Sequence, residues 1–381
     1  MKRILFITPS RSIGGTNSSL SSIVGHLEKD CKIDVLVMSS YGDGHYAFLQ
    51  SAITSDLLDA YLVDYSKLTR KVKILAILIK VLKRLTLLLR IPFERVVYKS
   101  VAQKLQNKYH FDFVVGFSEG KAMKLASEFK GVVKYTWIHC EYNRAVPLNI
   151  DESSYYSRFN KIVCVSKYTK DLFVNRYPSL SRKTIHIYNL LDVHRILKLA
   201  DGAIDDERFN NSSYTIISVG RIDPVKGFSN IPRLANALLN KQIEFTWYII
   251  GGPNNDEFKR IQNEIEKYDI AKHVILLGSK SNPYPYFKNA DLYVSTSLSE
   301  ACPMVFNEAK LLGLPIVSTN YGSAYEFVLD HSMISSVDNL AEIIHDNYLK
   351  SVSRSVNICD SKSISCADAQ ERDKVEKLFT S

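Results

Sequence analysis

The chain has 381 residues, enough for two domains of ordinary size, with 46% hydrophobic and 23% charged residues. That balance excludes a disordered or fibrous protein. The formal net charge is +9, and the ten basic residues set against the single Glu94 between Ser66 and Ser100 account for all of it.

In chain order, Arg3 to Pro9 reads as a first strand; its apolar part, Ile4 to Ile7, is too short for a signal peptide. Gly14-Gly15-Thr16-Asn17 then opens a helix over Thr16 to Glu28, where free backbone amides suit an anion. A strand over Ile33 to Met38 follows, and then a basic helix from Lys67 to Leu89. Ile74, Leu75, Leu78, Val81, Leu82, Leu85 and Leu89 share one face of that helix, and Lys73, Lys80 and Arg84 share the other. Lys80, Lys83 and Arg84 at its centre exclude a membrane span. Two readings stay open: the apolar face packs on the N-terminal sheet, or the helix lies on an anionic membrane through Lys73, Lys80, Lys83 and Arg84. No aromatic interleaving accompanies the charge, so a nucleic-acid partner is not expected.

Helices over Phe93 to Lys108, Lys121 to Phe129 and Lys167 to Asn175 alternate with strands Phe113 to Phe117, Val132 to Ile138, Lys161 to Val165 and Thr184 to Tyr188. His139 ends the second of these strands, with Cys140 and Tyr142 after it. Unbroken apolar strands between helices predict a parallel sheet covered on both faces. The polar stretch 193–213 reads as a linker between domains 1–192 and 214–359.

Strands at Tyr214 to Val219, Phe245 to Ile250, Val274 to Gly278, Asp291 to Thr296 and Pro315 to Thr319 build the second domain. Its helices run near Ser229 to Leu239, Asp256 to Lys267, Pro303 to Leu312 and Asn339 to Leu349. Just past its first strand, Gly220-Arg221-Ile222-Asp223-Pro224-Val225-Lys226-Gly227 holds two cations five apart, able to meet one anionic group. After its fourth strand, Glu300 and Glu308 flank Pro303, which is pre-set for a first helical position. Carboxylates accept from hydroxyl donors, so this helix start suits a phosphate and a polyol together. Cysteines 31, 140, 164, 302, 359 and 366 form no CxxC pair and read as reduced, buried thiols of a cytoplasmic protein.

The Glu300-x7-Glu308 pattern with Gly313, Pro315 and Val317 behind it, together with Gly220 to Gly227, resembles glycosyltransferase family 4, retaining enzymes of the GT-B fold. The resemblance implies two doubly wound Rossmann-like domains facing across a cleft, with a C-terminal helix (360–381) returning to the first. It implies a sugar moved from a nucleotide diphosphate, UDP-linked, to a hydroxyl of a glycan or lipid-linked glycan in bacterial capsule, O-antigen or exopolysaccharide synthesis. No cofactor or metal is expected, and the enzyme would work in the cytoplasm or on the inner face of the cell membrane.

By the same resemblance Arg221, Lys226, Glu300 and His139 carry the chemistry. Arg221 and Lys226 clamp the diphosphate, His139 and Glu300 face the sugar, and Glu308 holds the ribose. The donor side is completed by Gly14, Gly15, Gly220, Asn189, Gly252, Ser279, Lys280, Tyr284, Ala301, Cys302, Pro303, Met304 and Val305. Thr16, Asn17 and Tyr142 fall on the acceptor side. Three positions depart from the family pattern: Leu190 stands where glycine is usual, and Ala301 and Cys302 replace Gly-Phe or Gly-Thr. Rival readings are a GT-B-fold epimerase or a non-catalytic nucleotide-sugar-binding subunit.

Overall fold

The computed structural model describes residues 1–10, 14–39, 46, 50–63, 67–88, 93–209, 213–252, 255–352 and 361–380. Asn210 to Ser212 of the expected linker, Leu89, Pro253 and Cys359 lie outside the described residues, as do the side chains of positions 85–88. The chain divides into two compact units, Met1–Leu190 with Glu371–Ser381, and Leu191–Gln370.

The first unit is a parallel sheet of β1 (Lys2–Thr8), β2 (Cys31–Val37), β3 (Phe113–Gly116), β4 (Val133–Ile138), β5 (Lys161–Cys164) and β6 (Thr184–His186), in the order β2-β1-β3-β4-β5-β6. Its central strands are apolar through their middles, where both faces are covered: Ile4 to Ile7, Val114 and Val115 are all 0% exposed. At the strand starts Arg3 donates to Asp34 (Nε to Oδ2, 2.6 Å), and its backbone N–H donates to Asp112 (2.7 Å), which pins β1 between its neighbours.

The second unit repeats the plan with β7 (Tyr214–Val219), β8 (Phe245–Ile250), β9 (Val274–Gly278), β10 (Leu292–Ser295), β11 (Ile316–Thr319) and β12 (Ile334–Ser335), ordered β12-β11-β10-β7-β8-β9. Strand order reverses between β7 and β10, where an open parallel sheet presents its ligand crevice at the carboxyl ends. The loops after those two strands are the ones carrying Arg221, Lys226 and Glu300. In the first unit the reversal falls between β1 and β3, next to Gly14 and Glu119.

Three features differ from the sequence expectation. The stretch read as a linker contains a helix, Val193–Ala200, capped by Asp192, whose Oδ1 accepts from the Arg195 N–H (3.1 Å). Its apolar side, Ile196 with Leu191, packs on Met304 and Leu311, so these residues belong to the second unit's core. The basic helix, Arg70–Leu88, buries Val72, Ala76 and Ile79 against Ala60 and Leu68, leaving Ile74, Leu78, Val81 and Leu82 exposed. Periodicity identified an apolar face correctly as apolar, but the Asp56–Leu62 helix packs against the opposite stripe. Finally, Cys140 is half-buried and Cys366 exposed, whereas Cys31 and Cys164 are the enclosed thiols the sequence suggests, and Cys302 is buried.

The last helix, Ser361–Thr380, divides its contacts by position. Asp368 accepts from the Leu191 N–H (2.8 Å) in the second unit. From Glu371 on, the helix belongs to the first unit, where Phe379 sets its ring edge against Phe6 and Phe113, and the Tyr135 hydroxyl donates to the Leu378 carbonyl (2.9 Å).

Candidate functional site

In the second unit the site is built from the loops leaving β7 and β10. Gly220 ends β7 with its N–H on the Ile250 carbonyl (3.0 Å), and Gly251 crosses so close that a Cβ there would stand 1.9 Å from the Gly220 oxygen. The next turn, Pro224–Lys226, is capped by Asp223, whose Oδ1 accepts from the N–H groups of Val225 (3.0 Å) and Lys226 (3.2 Å).

Gly227 then turns the chain at φ +63°, and a Cβ would lie 2.2 Å from the Thr296 carbonyl. Thr296 Oγ1 donates to the Lys226 carbonyl (3.0 Å), and the Leu298 N–H donates to that of Val225 (2.7 Å). The two loops are therefore fastened backbone to backbone. Their side chains inherit fixed positions.

What they hold is an ion pair. Lys226 Nζ donates to Glu300 Oε1, both side chains being mostly buried at 18% and 17% exposure. Ser297 Oγ donates to the same carboxylate oxygen (2.9 Å), and Ser323 Oγ to the Glu300 carbonyl (2.5 Å). Glu308, in the helix Met304–Leu311, takes a long hydrogen bond from the Tyr284 hydroxyl (3.4 Å). Burial pushes the Glu308 carboxyl up to about 7, against the opposing pull of Tyr284 and Lys226. Near neutral pH it is shared between acceptor and donor forms.

Arg221 lies apart from this network: its side chain is 79% exposed and 3.6 Å from Asp223. Pro303 caps the helix rather than occupying its first turn, because its ψ of 98° is extended. Ala301 and Cys302 are buried at 7% and 9%, and Val305 is half-buried. Met304, expected at the donor, faces inward onto Leu191 and Ile196 instead. Gly252 and Ser279 approach each other, the serine lying 3.9 Å from where a Gly252 Cβ would stand. Lys280 is engaged within the fold, by Asp206 (2.9 Å) and Asp205 (3.2 Å). Burial would lower its pKa, but the hydrogen bonds with Asp206, Tyr286 and Asp205 raise it overall.

In the first unit, Gly14 precedes the helix Gly15–Leu27 with open space beside its Cα, and its N–H reaches the Tyr46 hydroxyl (3.4 Å). Gly15 is exposed and Thr16 half-buried. Asn17, expected on the acceptor side, is consumed by its own unit: Oδ1 accepts from Thr8 (2.8 Å) and Nδ2 donates to the Ser10 carbonyl (3.0 Å). Asn189 is likewise buried, accepting from Ser19 Oγ (2.9 Å). Tyr142 is a core residue at 0% exposure, its hydroxyl donating to Glu152 (2.8 Å) among the rings of Tyr156, Phe173 and Tyr177.

His139 is different. Its backbone N–H donates to Glu119 Oε2 (2.9 Å) and its ring lies on Phe117 (4.7 Å), yet Nε2 is enclosed without a hydrogen-bond partner among the described residues. Burial drives its pKa down to about 3, so the ring is neutral at physiological pH. Of the basic-helix candidates, Lys80, Lys83 and Arg84 are exposed and Lys73 is half-buried.

Sequence reasoning missed Ser297, Ser323 and Glu119. Ser297 stands three residues before Glu300, a spacing that supplies a hint; Ser323 follows β11 with no signal linking it to Glu300.

Comparison with known proteins agrees with this geometry. Residues 202–347 match the family model described as "Glycosyl transferases group 1". An uncharacterized glycosyltransferase of Methanocaldococcus jannaschii is 26% identical over 170 residues, 44% of this chain and 41% of that one. The O-antigen biosynthesis glycosyltransferase WbnH of Escherichia coli is 23% identical over 220 residues, 56% of this chain and 58% of that protein. The chain spans about half the length of the curated relatives it matches. Among solved structures, Anabaena Alr3699/HepE in complex with UDP and glucose superposes with a TM-score of 0.69 at 17% identity, covering all of both chains. The chain thus has the GT-B fold, and its segment 202–347 matches the group 1 glycosyl transferase model.

Proposed function

We propose that this chain is a retaining glycosyltransferase of the family 4 type, moving a sugar from a UDP-sugar to a hydroxyl of a glycan or lipid-linked glycan. The observation that carries the reading is the Lys226–Glu300 ion pair with Glu308 beside it, placed where strand order reverses in the segment matching the group 1 transferases. HepE, of the same fold, was solved with UDP and glucose, and WbnH is named for O-antigen biosynthesis. The first favours UDP as carrier and the second a bacterial surface polysaccharide as destination.

In this mechanism Lys226 neutralises the leaving diphosphate, joined by Arg221, whose exposed side chain exchanges its 3.6 Å contact with Asp223 for the bound donor. These cations and the backbone at the Met304–Leu311 helix start supply the charge stabilisation without a metal ion. Glu300 is ill-suited as a nucleophile because Lys226 and Ser297 already hold one of its oxygens. It serves as an acceptor for sugar hydroxyls, and Glu308 for the ribose. The bond from the anomeric carbon to phosphate breaks as the acceptor oxygen attacks the same face, and the acceptor's proton passes to the leaving phosphate. His139, neutral and with Nε2 unoccupied, offers one hydrogen bond rather than a charge.

The test is turnover of UDP-sugars, first as slow hydrolysis and then with glycan acceptors, with the product's anomeric configuration read by NMR. Retained configuration supports the reading, and inversion overturns the same-face step. A UDP-sugar that raises Tm without any turnover would favour the non-catalytic binding subunit.

A further inference from the structure

The Arg70–Leu88 helix has two apolar faces, and the fold of the first unit uses only one. Val72, Ala76 and Ile79 are buried against Ala60 and Leu68. Ile74, Ile77, Leu78, Val81 and Leu82 recur at the i, i+3, i+4, i+7, i+8 spacing of a single helical stripe, and each is between 50% and 59% exposed. Five large aliphatic side chains in one continuous exposed row are unusual for a surface that meets only water.

The charge beside the row says what covers it. The helix carries Arg70, Lys71, Lys73, Lys80, Lys83 and Arg84 and no acidic residue. Lys73, Lys80 and Arg84, at i, i+7 and i+11, run between the outer and inner apolar stripes. A second copy docking through this face would set six cations against six, in a chain whose charges balance outside residues 66–100. An anionic leaflet offers the opposite sign together with an apolar layer at the depth of the row. No helix among the described residues is long and apolar enough to cross a membrane.

We infer that the outer face of the Arg70–Leu88 helix is a docking surface for an anionic lipid bilayer. The helix lies in the plane of the headgroups with Ile74, Ile77, Leu78, Val81 and Leu82 inserted and Lys73, Lys80 and Arg84 on the phosphates. The inference rests on the functional reading above and deepens it by naming its partner surface, through residues that have no part in the proposed chemistry.

Flotation of the full chain with phosphatidylglycerol vesicles and with neutral phosphatidylcholine vesicles tests it. Binding is expected to the anionic vesicles, weakening with salt. The double variant L78E/V81E and the double variant K80E/R84E are each expected to lower partitioning by about tenfold or more. Both should keep the parent Tm and the parent rate of UDP-sugar hydrolysis in solution, because the altered side chains are exposed and remote from Lys226 in sequence. Absence of binding at moderate salt would overturn the inference, as would binding unchanged in both variants. A concentration-dependent dimer that L78E/V81E dissociates would assign the face to a second copy instead. Loss of hydrolysis in the parent chain would sink the catalytic reading while leaving vesicle binding as an independent result.

Discussion

Burial shifts His139 in the first unit and Glu308 in the second, and the two respond to pH in opposite directions. In the first unit His139 is held neutral, its pKa lowered by burial from 6.5 to about 3. In the second, Glu308 is raised by burial from 4.5 to about 7. Between pH 6.5 and 3 the unfolded chain protonates His139 and the folded chain does not, so stability falls as pH falls. Between pH 4.5 and 7 the folded chain keeps a proton on Glu308 that the unfolded chain gives up, so stability falls as pH rises. Burial without a charge partner costs stability in either unit. In the second unit, though, Lys226 acts on Glu308, and in the first the ring nitrogen of His139 has no hydrogen-bond partner among the described residues. A site meant to hold a diphosphate is expected on the side that carries the cation.

The sharpest way to break this comparison is Lys226→Ala. It removes the cation and leaves Glu300 mostly buried with Ser297 as its carboxylate's remaining partner among the described residues. UDP-sugar turnover should fall about 100- to 1,000-fold, and melting should show a loss of about 3 kcal/mol from the unpaired carboxylate. Parent-like turnover would remove Lys226 from the chemistry. Next in size is Glu308→Gln, which should stabilise the donor-free chain at pH 8 by about 3 kcal/mol and leave it nearly unchanged at pH 4. A Tm difference that does not grow with pH would show that Glu308 is not held protonated. The mirror experiment, His139→Asn, should relieve acid lability by about 2 kcal/mol at pH 5 with no gain from this source at pH 8. Equal effects at both pH values would show that the imidazole titrates normally.

How far this contrast was legible in the sequence depends on whether a residue's partner lies nearby in the chain. The strands Tyr214–Val219, Phe245–Ile250 and Val274–Gly278 were readable to the residue, because a strand buried on both faces leaves an unbroken apolar run. The Asp223 cap and the positive φ at Gly227 are local events, and the residues there announce them. The Val193–Ala200 helix was hidden between polar neighbours, since its stability comes from Met304 and Leu311 a hundred residues onward. The Arg70–Leu88 helix shows the same limit: periodicity reports that a face is apolar, not which element lies against it. Asn17, Asn189 and Tyr142 match expected site positions, yet the polar atoms that carry those expectations are bonded inside the first unit by Thr8, Ser19 and Glu152. Only three-dimensional partners distinguish a waiting hydrogen-bonding group from one already used.

Tyr142→Phe puts that distinction to its smallest and cleanest test. The Tyr142 hydroxyl donates to Glu152 Oε2 at 2.8 Å, while Lys124 holds Oε1 at 3.2 Å and the Glu152 N–H donates to the Tyr177 hydroxyl at 3.2 Å. Removing the hydroxyl therefore leaves the carboxylate its cation and the ring its aromatic neighbours, and deletes one charge-assisted hydrogen bond. A loss of about 1 to 2 kcal/mol should appear in melting, with Lys124→Met larger because it leaves Glu152 buried and uncompensated. Since the Tyr142 hydroxyl is fully buried and committed to Glu152, KM for donor and for acceptor should both match the parent. A raised acceptor KM at unchanged Tm would return Tyr142 to the acceptor side, and would mean that the buried aromatic cluster of the first unit opens during turnover.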